Sequence, residues 1–198
     1  MLGSAAYPAT FAFDPPERVA NWRPLVSWLL AIPHFIVLYV LQIVSGIVAV
    51  VSWLVVLVTG RLPDGLAGVQ AMYLRYALRT YTYAMFLRAE YPPFGFETTA
   101  ADPGDDTRVR VDFEPQLTDR NRVTVLFRLF VAIPQLVVVS VLGFAAGLVT
   151  FAAFFAVLFT GRWPAGMRDF VLNVWRWWLR VETYVLLLTD LYPPFAFD

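Results

Sequence analysis

Two long segments of this chain contain no charged residue: residues 24–60 and residues 129–161, which are 37 and 33 residues long. Uncharged apolar segments of more than about 18 residues are typical of helices that cross membranes. The whole chain is 59% hydrophobic and only 15% charged, whereas an average soluble domain is about 25% charged. The two segments therefore predict a mainly α-helical integral membrane protein.

The remaining composition excludes several kinds of functional site. The 15 cationic residues, all of them Arg, are balanced by 15 acidic residues, so no basic excess favours nucleic acid. Cys is absent, and the one His, His34, has no acidic neighbour in the sequence with which to bind a metal. Nucleotide-binding, zinc-protease and hydrolase motifs are also missing. We therefore expect no enzyme activity, no cofactor and no metal, and a hydrogen-bonded structural role for His34.

The chain contains one unit twice. Residues 31–97 align with residues 132–198 at a constant offset of 101 residues, with 26 identities in 67 positions and no gap. A polar segment rich in turn-forming residues, TTAADPGDD, lies between the copies. We therefore divide the chain into a first membrane repeat at 1–97, a polar, water-facing linker at 98–107, and a second membrane repeat at 108–198.

The identities between the copies concentrate in short motifs that contain Pro, Gly and Arg. An Ala-Ile-Pro motif lies near the start of each apolar segment, a Thr-Gly-Arg-x-Pro motif ends it, and Tyr-Pro-Pro-Phe closes each copy. Gly followed by Arg and Pro is typical of a helix C-terminus, because Gly adopts the left-handed conformation there and Pro does not continue a helix. The predicted structural residues are Pro33, Gly60, Arg61, Pro63, Pro92 and Pro93 in copy one, and Pro134, Gly161, Arg162, Pro164, Pro193 and Pro194 in copy two.

These motifs resemble those of a bacterial family of small membrane proteins that is defined by a domain of unknown function, domain of unknown function 4389. The resemblance covers nearly the whole chain, once in each copy. It implies a membrane location and two tandem copies of the domain. It implies no chemistry, because the family carries no established activity.

Short alternating segments with aromatic residues occur at both ends of each copy. Phe11 and Phe13 alternate in copy one, Val109, Val111 and Phe113 alternate in copy two, and both copies close on Tyr-Pro-Pro-Phe-x-Phe and an acid. Alternation of this kind is typical of half-buried strands. We predict four short strands that pair on one side of the bilayer, since open sheet edges do not occur in hydrocarbon. The alternative is that the closing segments are unpaired extended tails at headgroup depth.

Each apolar segment is too long for a single upright span. The segment of copy one would be about 55 Å long as one helix, whereas the hydrocarbon core is about 30 Å thick. One arrangement is a transmembrane hairpin that turns around residues 45–46 in copy one and residues 143–147 in copy two. The other is a surface helix before Pro33, a single span over about 33–59, and a return span through the helix that follows.

That following helix carries Arg, Trp and Tyr, over about 65–88 in copy one and 166–189 in copy two. If it crossed the membrane, two Arg would lie near the bilayer centre, each costing at least about 2.5–3.5 kcal/mol. We therefore favour a multi-pass protein of the inner membrane in which each half is a transmembrane helical hairpin plus an amphipathic interfacial helix, with short extramembrane β-strands. By the positive-inside rule, the strands, the linker and the Arg-bearing helices lie on the cytoplasmic side.

Arg75 and Arg79 in copy one, and Arg176 and Arg180 in copy two, are the candidate functional residues. The members of each pair are one helical turn apart, which lets two guanidinium groups approach one phosphate or carboxylate. We predict that they contact anionic lipid headgroups or another anion. The alternative is a structural role in which they pair with nearby acids.

These features predict a non-enzymatic scaffold or accessory subunit at the membrane. Its expected partners are membrane lipids and either a membrane-protein partner or a second copy of the chain, with no nucleic acid. The alternative is a small transporter or channel built from two parallel repeats, in which the Arg pairs face each other across the repeat interface.

Overall fold

The structure is a computed structural model that describes residues 7–197. In this part of the chain it contains five helices and one two-stranded sheet, and it is mainly helical. The elements are β1 (Ala9–Phe13), α1 (Arg23–Leu30), α2 (Ile32–Thr59), α3 (Asp64–Ala84), β2 (Val109–Phe113), α4 (Arg122–Thr160) and α5 (Ala165–Val185). The first copy supplies β1 and α1 to α3, and the second supplies β2, α4 and α5.

The long apolar segments do not fold into hairpins. α2 is one helix of 28 residues and α4 is one helix of 39, so the predicted turns at residues 45–46 and 143–147 are wrong. The glycines at these turns lie inside the helices, because a single Gly costs only about 1 kcal/mol relative to Ala, which tertiary packing offsets. In copy one the helix bounds match the other arrangement, a short helix before Pro33 followed by one long helix.

Both long helices end where the sequence predicts. Gly60 follows the last residue of α2 with a φ of 69°, and Gly161 follows the last residue of α4 with a φ of 67°. Only Gly adopts this left-handed conformation without steric cost. The next helices begin directly after Pro63 and Pro164, whose fixed φ suits a helix N-terminus.

β1 and β2 pair antiparallel in a register that relates the two copies. Phe11 lies opposite Val111 at the centre of the ladder. These two positions are equivalent, because one inserted residue reduces the offset between the copies to 100 in this region. An antiparallel pair centred on equivalent residues has a local two-fold axis perpendicular to the sheet. The two copies are therefore related by an approximate two-fold axis that passes through this pair.

Two of the four predicted strands form in residues 7–197. The closing segments at 91–96 and 192–197 are not strands. Their Pro-Pro pairs lack N–H donors for a ladder, so these segments pair with no strand and pack by their aromatic rings instead. The prediction of a four-stranded sheet is therefore wrong, and the alternative of unpaired closing segments matches the structure.

Each strand packs against a helix of the other copy: β2 contacts α3, and β1 contacts α5. The Nε of Arg75 donates a hydrogen bond to the carbonyl of Val111, and the Nε of Arg176 donates one to the carbonyl of Phe11, at 3.3 Å in both cases. The two copies therefore share one core.

The elements stack in three layers. α2 and α4 form the first layer, α3 and α5 the second, and the sheet the third; among the described elements, the strands contact α3 and α5 but neither long helix. The buried side chains of α2 form one stripe along its length, which includes His34, Ser45 and Ser52. Most of its remaining surface is exposed and apolar. The long helices thus differ from those of a soluble protein, since His34, Ser45, Ser52 and Gln135 face inward while most of the exposed side chains are apolar.

The two helix-ending glycines predict unequal effects of Ala. At Gly60, an added Cβ would approach only the Arg122 side chain, at 3.4 Å, so Gly60→Ala costs the left-handed backbone strain of about 1–2 kcal/mol. At Gly161, the Cβ would lie 2.9 Å from the carbonyl oxygen of Val19, which adds a steric clash with backbone. We expect Gly161→Ala to lower the thermal unfolding temperature in detergent more than Gly60→Ala. Equal losses would contradict this packing.

Candidate functional site

Arg75 lies in the middle of α3 and is only 3% exposed. Its guanidinium group lies 3.5 Å from the carboxylate of Asp102. Besides the carbonyl of Val111, it donates to four carbonyl oxygens at 2.9–3.3 Å. These acceptors belong to the segment around the linker: Glu97, Thr99, Ala100 and Ala101. All three nitrogen atoms of the Arg75 guanidinium group thus donate to protein acceptors.

Arg79 and Arg88 continue this buried network. Arg79 lies 3.0 Å from Asp102 and 2.8 Å from Asp105, and Arg88 lies 2.6 Å from Asp106. The side chains of Asp102 and Asp106 are each only 1% exposed, so the prediction of a water-facing linker is wrong at these positions. The carboxylates of the linker neutralise the cations of α3 and hold the linker against that helix.

The second Arg pair has different partners. Arg176 donates to the side-chain oxygen of Asn173 at 2.6 Å as well as to the carbonyl of Phe11, and Arg180 donates to the carbonyl of Ala196. Each pair contacts the strand or closing segment nearest to its own helix. Arg75 and Arg79 thus form ion pairs with protein acids, which is the structural alternative of the sequence analysis. Their partners are aspartates of the linker, which the spacing of residues along α3 does not predict. Headgroup contact by these four residues stays a prediction.

A third group of charges escaped the sequence analysis. Arg120 and Arg128 are buried, and both contact the carboxylate of Asp190, with Arg120 at 2.6 Å. Burial alone would raise the pKa of Asp190, but hydrogen bonds from Arg120 and from the backbone of Asn121 outweigh it and lower that pKa. The one signal available was that Arg128 directly precedes the uncharged segment of copy two. Comparison of the two copies could not reveal this group of charges, since the position of copy one that is equivalent to Arg128 is Ser27.

The single His has the hydrogen-bonded structural role that we expected. The Nδ1 of His34 lies 2.6 Å from the hydroxyl oxygen of Tyr76, and its ring stacks on Phe94 with the ring centres 4.2 Å apart. Its counterpart Gln135 accepts a hydrogen bond from the indole of Trp177 at 2.8 Å. In both copies a polar group of the long helix, directly after its Ala-Ile-Pro motif, therefore binds the helix that follows.

Glu182 lies where α5 meets α3. Burial raises the pKa of its carboxyl from 4.5 to about 7, although a hydrogen bond from the Trp178 indole lowers it in part. The charge of Glu182 in turn helps to raise the pKa of Tyr81, after the larger effect of burial. This carboxyl is therefore the group in the second layer that changes charge near neutral pH.

A cavity of about 360 Å³ opens between α4 and the aromatic side chains of α3 and α5. Small residues of α4 form one wall, and added Cβ atoms at Gly143 and Gly147 would meet nothing within 4 Å. Tyr81, Trp175 and Trp178 form the other wall. The hydroxyl groups of the α4 wall donate within their own helix, so the lining is essentially apolar. Across the described residues, no three His, Cys, Asp or Glu side chains are grouped so as to hold a metal ion.

The largest unpartnered feature is the apolar surface of the long helices, which we call the outer apolar face. Both α2 and α4 are long and apolar enough to cross a membrane, and only 17% of the most apolar window of each is buried. Core helices of soluble proteins are mostly buried, and soluble monomers rarely expose such large apolar surfaces. Its most exposed members are Ile36, Tyr39, Ile47, Val50 and Val58 on α2, and Val123, Phe130, Val141, Phe144, Phe151 and Phe159 on α4.

Comparison with known proteins identifies the family. The chain belongs to the family described as Domain of unknown function (DUF4389), whose model matches residues 21–95 and again residues 122–196. The resemblance seen in the repeated motifs is therefore confirmed, with two tandem copies. Comparison with curated proteins and with solved structures gives no significant match.

The buried network predicts a large effect of removing Arg79. Arg79→Ala leaves Asp105 without a close cation and Asp102 with only the Arg75 contact at 3.5 Å, and breaking a buried ion pair on one side costs about 3–5 kcal/mol. The matched control is Arg110→Ala, because Arg110 pairs with Asp112 on the surface, where such pairs contribute about 0–1 kcal/mol. Denaturant unfolding in detergent measures both. Equal losses would show that the linker network is not structural.

The raised pKa of Glu182 predicts a pH dependence of stability. The folded state keeps a proton on this carboxyl that the unfolded state has lost, so stability falls as the pH rises from about 4.5 to about 7. Glu182→Gln should flatten this part of the curve of unfolding temperature against pH. Glu114→Gln, on an exposed side chain, should leave the curve unchanged. If the slope of this curve were the same in Glu182→Gln as in the parent protein, the raised pKa would not belong to Glu182.

Proposed function

We propose that this protein is a non-enzymatic membrane scaffold or accessory subunit, anchored in lipid by the outer apolar face. The observation that carries the proposal is the inverted character of α2 and α4, whose buried stripes include polar side chains and whose exposed side chains are mostly apolar. The free energy of such helices is lower in hydrocarbon than in water.

Exposed arginines at the ends of the long helices support contact with anionic lipid. Arg61 and Arg162 directly follow the glycines that end α2 and α4, and Arg122 is the first residue of α4; all three are exposed. Trp22 and Trp28 are exposed around α1 at the start of the same layer, and Trp prefers headgroup depth. This arrangement fits an anionic cytoplasmic leaflet of the inner membrane. These Arg are better placed for headgroups than the buried Arg75 and Arg79.

The third layer offers a surface for a protein partner. The outward side chains of the sheet include Thr10, Ala12 and Arg110, and the linker with Asp105 lies beside them. This polar face lies on the side of the molecule opposite the outer apolar face. A scaffold anchored by one face and recognised through the other would need no catalytic residue.

Membrane retention tests the anchor. We expect the protein to remain in membranes after extraction with alkaline carbonate. Phe130→Asp with Phe144→Asp should release it or prevent its insertion, because each places a carboxylate on the outer apolar face. Thr10→Asp with Ala12→Asp, which adds the same charge to the polar face, should leave retention unchanged. Release of the parent protein, or equal effects of the two pairs, would refute the anchor.

Cross-linking in cells tests the scaffold. A photoreactive amino acid at Arg110 should yield a defined protein adduct, whereas the same group at Phe144 should yield lipid adducts. Lipid adducts alone at both positions would contradict recruitment of a protein partner.

A further inference from the structure

We infer that α2 and α4 lie parallel to the membrane plane within one leaflet, so that the chain enters the bilayer from one side without crossing it. The inference rests on the proposed anchoring in lipid and concerns its geometry. The partner of the outer apolar face is then a single leaflet of a bilayer.

The length of α4 is the first argument. Val123 and Phe159, near its two ends, are 67% and 77% exposed, and about 1.5 Å per residue places them about 54 Å apart. The hydrocarbon core is only about 30 Å thick. A crossing helix would need a tilt of more than about 50° to cover this face, whereas transmembrane helices tilt by about 20° on average and up to about 40°. If the helix lies in the membrane plane, the hydrocarbon of one leaflet covers the whole face.

The position of the sheet is the second argument. Arg75, in the middle of α3, contacts Val111 at the centre of β2, and Arg176 in α5 contacts Phe11 at the centre of β1. If α3 and α5 stood upright in the bilayer, the sheet would lie at the bilayer midplane. Its outer surface carries the exposed pair Arg110 and Asp112. Ionised side chains and open sheet edges are both unfavourable in hydrocarbon.

The layers suit a single leaflet. The buried stripe of α2 contacts the second layer from His34, at Tyr76, to Ser45, at Gln70. This part of α2 therefore has the second layer on its inner side. With the helices in the membrane plane, the outer apolar face lies in hydrocarbon, α3 and α5 lie at headgroup depth, and the sheet lies in water.

The approximate two-fold axis agrees with this geometry. It is perpendicular to the sheet and therefore also to the layers, so it lies along the membrane normal. The two copies then lie at the same depth and face the same side. The ends of each long helix are also on one side of the membrane, which an upright span does not allow.

Labelling of single cysteines tests the inference, because the parent chain contains no Cys. Arg122→Cys and Arg162→Cys place exposed thiols at the two ends of α4, and Ala12→Cys marks the side of the sheet. In sealed vesicles, we expect an impermeant maleimide to label all three from the same side, with lysed vesicles as the control for reactivity. Labelling of residue 122 from one side of the membrane and of residue 162 from the other side would overturn the inference.

Depth measurements provide the second readout. Spin labels at Phe130→Cys, Phe144→Cys and Phe159→Cys should report similar depths in one leaflet. An upright helix would place the middle label deep and the outer two near opposite surfaces, which would refute the in-plane geometry. Release of the parent protein by carbonate would overturn the anchor and this inference together. Retention with opposite-side labelling would overturn only this inference.

Discussion

A buried guanidinium group is stable only where oxygen atoms accept its N–H groups, and this requirement organises the centre of the molecule. Arg75 meets it with carbonyls from the linker and from β2, and the half-buried Arg176 donates in the same way to the carbonyl of Phe11 in β1. Because both acceptor strands come from the other copy, the same hydrogen bonds that solvate the cations also join the copies. The sheet, the linker and the middle helices are therefore held by one set of contacts.

The polar groups of the long helices follow the same rule. His34 binds Tyr76, Ser45 binds Gln70, and the counterpart of His34 in copy two binds an indole of α5. With these groups facing inward, most of the outward surface is left to apolar side chains. Satisfaction of polar groups and exposure of apolar groups are thus two results of one arrangement, and it is the second that fits the molecule to lipid.

The sequence predicted the features that short patterns encode. The duplication, the helix ends at Gly60 and Gly161, the strands around Phe11 and Val111, and the structural role of His34 all follow from spacing and residue type. The hairpins were wrong, because a Gly inside an apolar segment favours a turn only when packing does not support the helix. The acceptors of the buried arginines could not be predicted, since Asp102 and Asp106 lie in a linker whose composition is that of a solvated loop and whose burial depends on tertiary structure.

The exchange of strands between the copies shows what a single unit would lack. A polypeptide with only one such unit would have no complementary strand for its own middle helix, and the Nε of its central arginine would lack the strand carbonyl that accepts from it. A second identical molecule, related to the first by a two-fold axis, would provide the missing strand. A single unit would satisfy these contacts by forming a two-fold homodimer, and in the tandem chain the same association is intramolecular and independent of concentration.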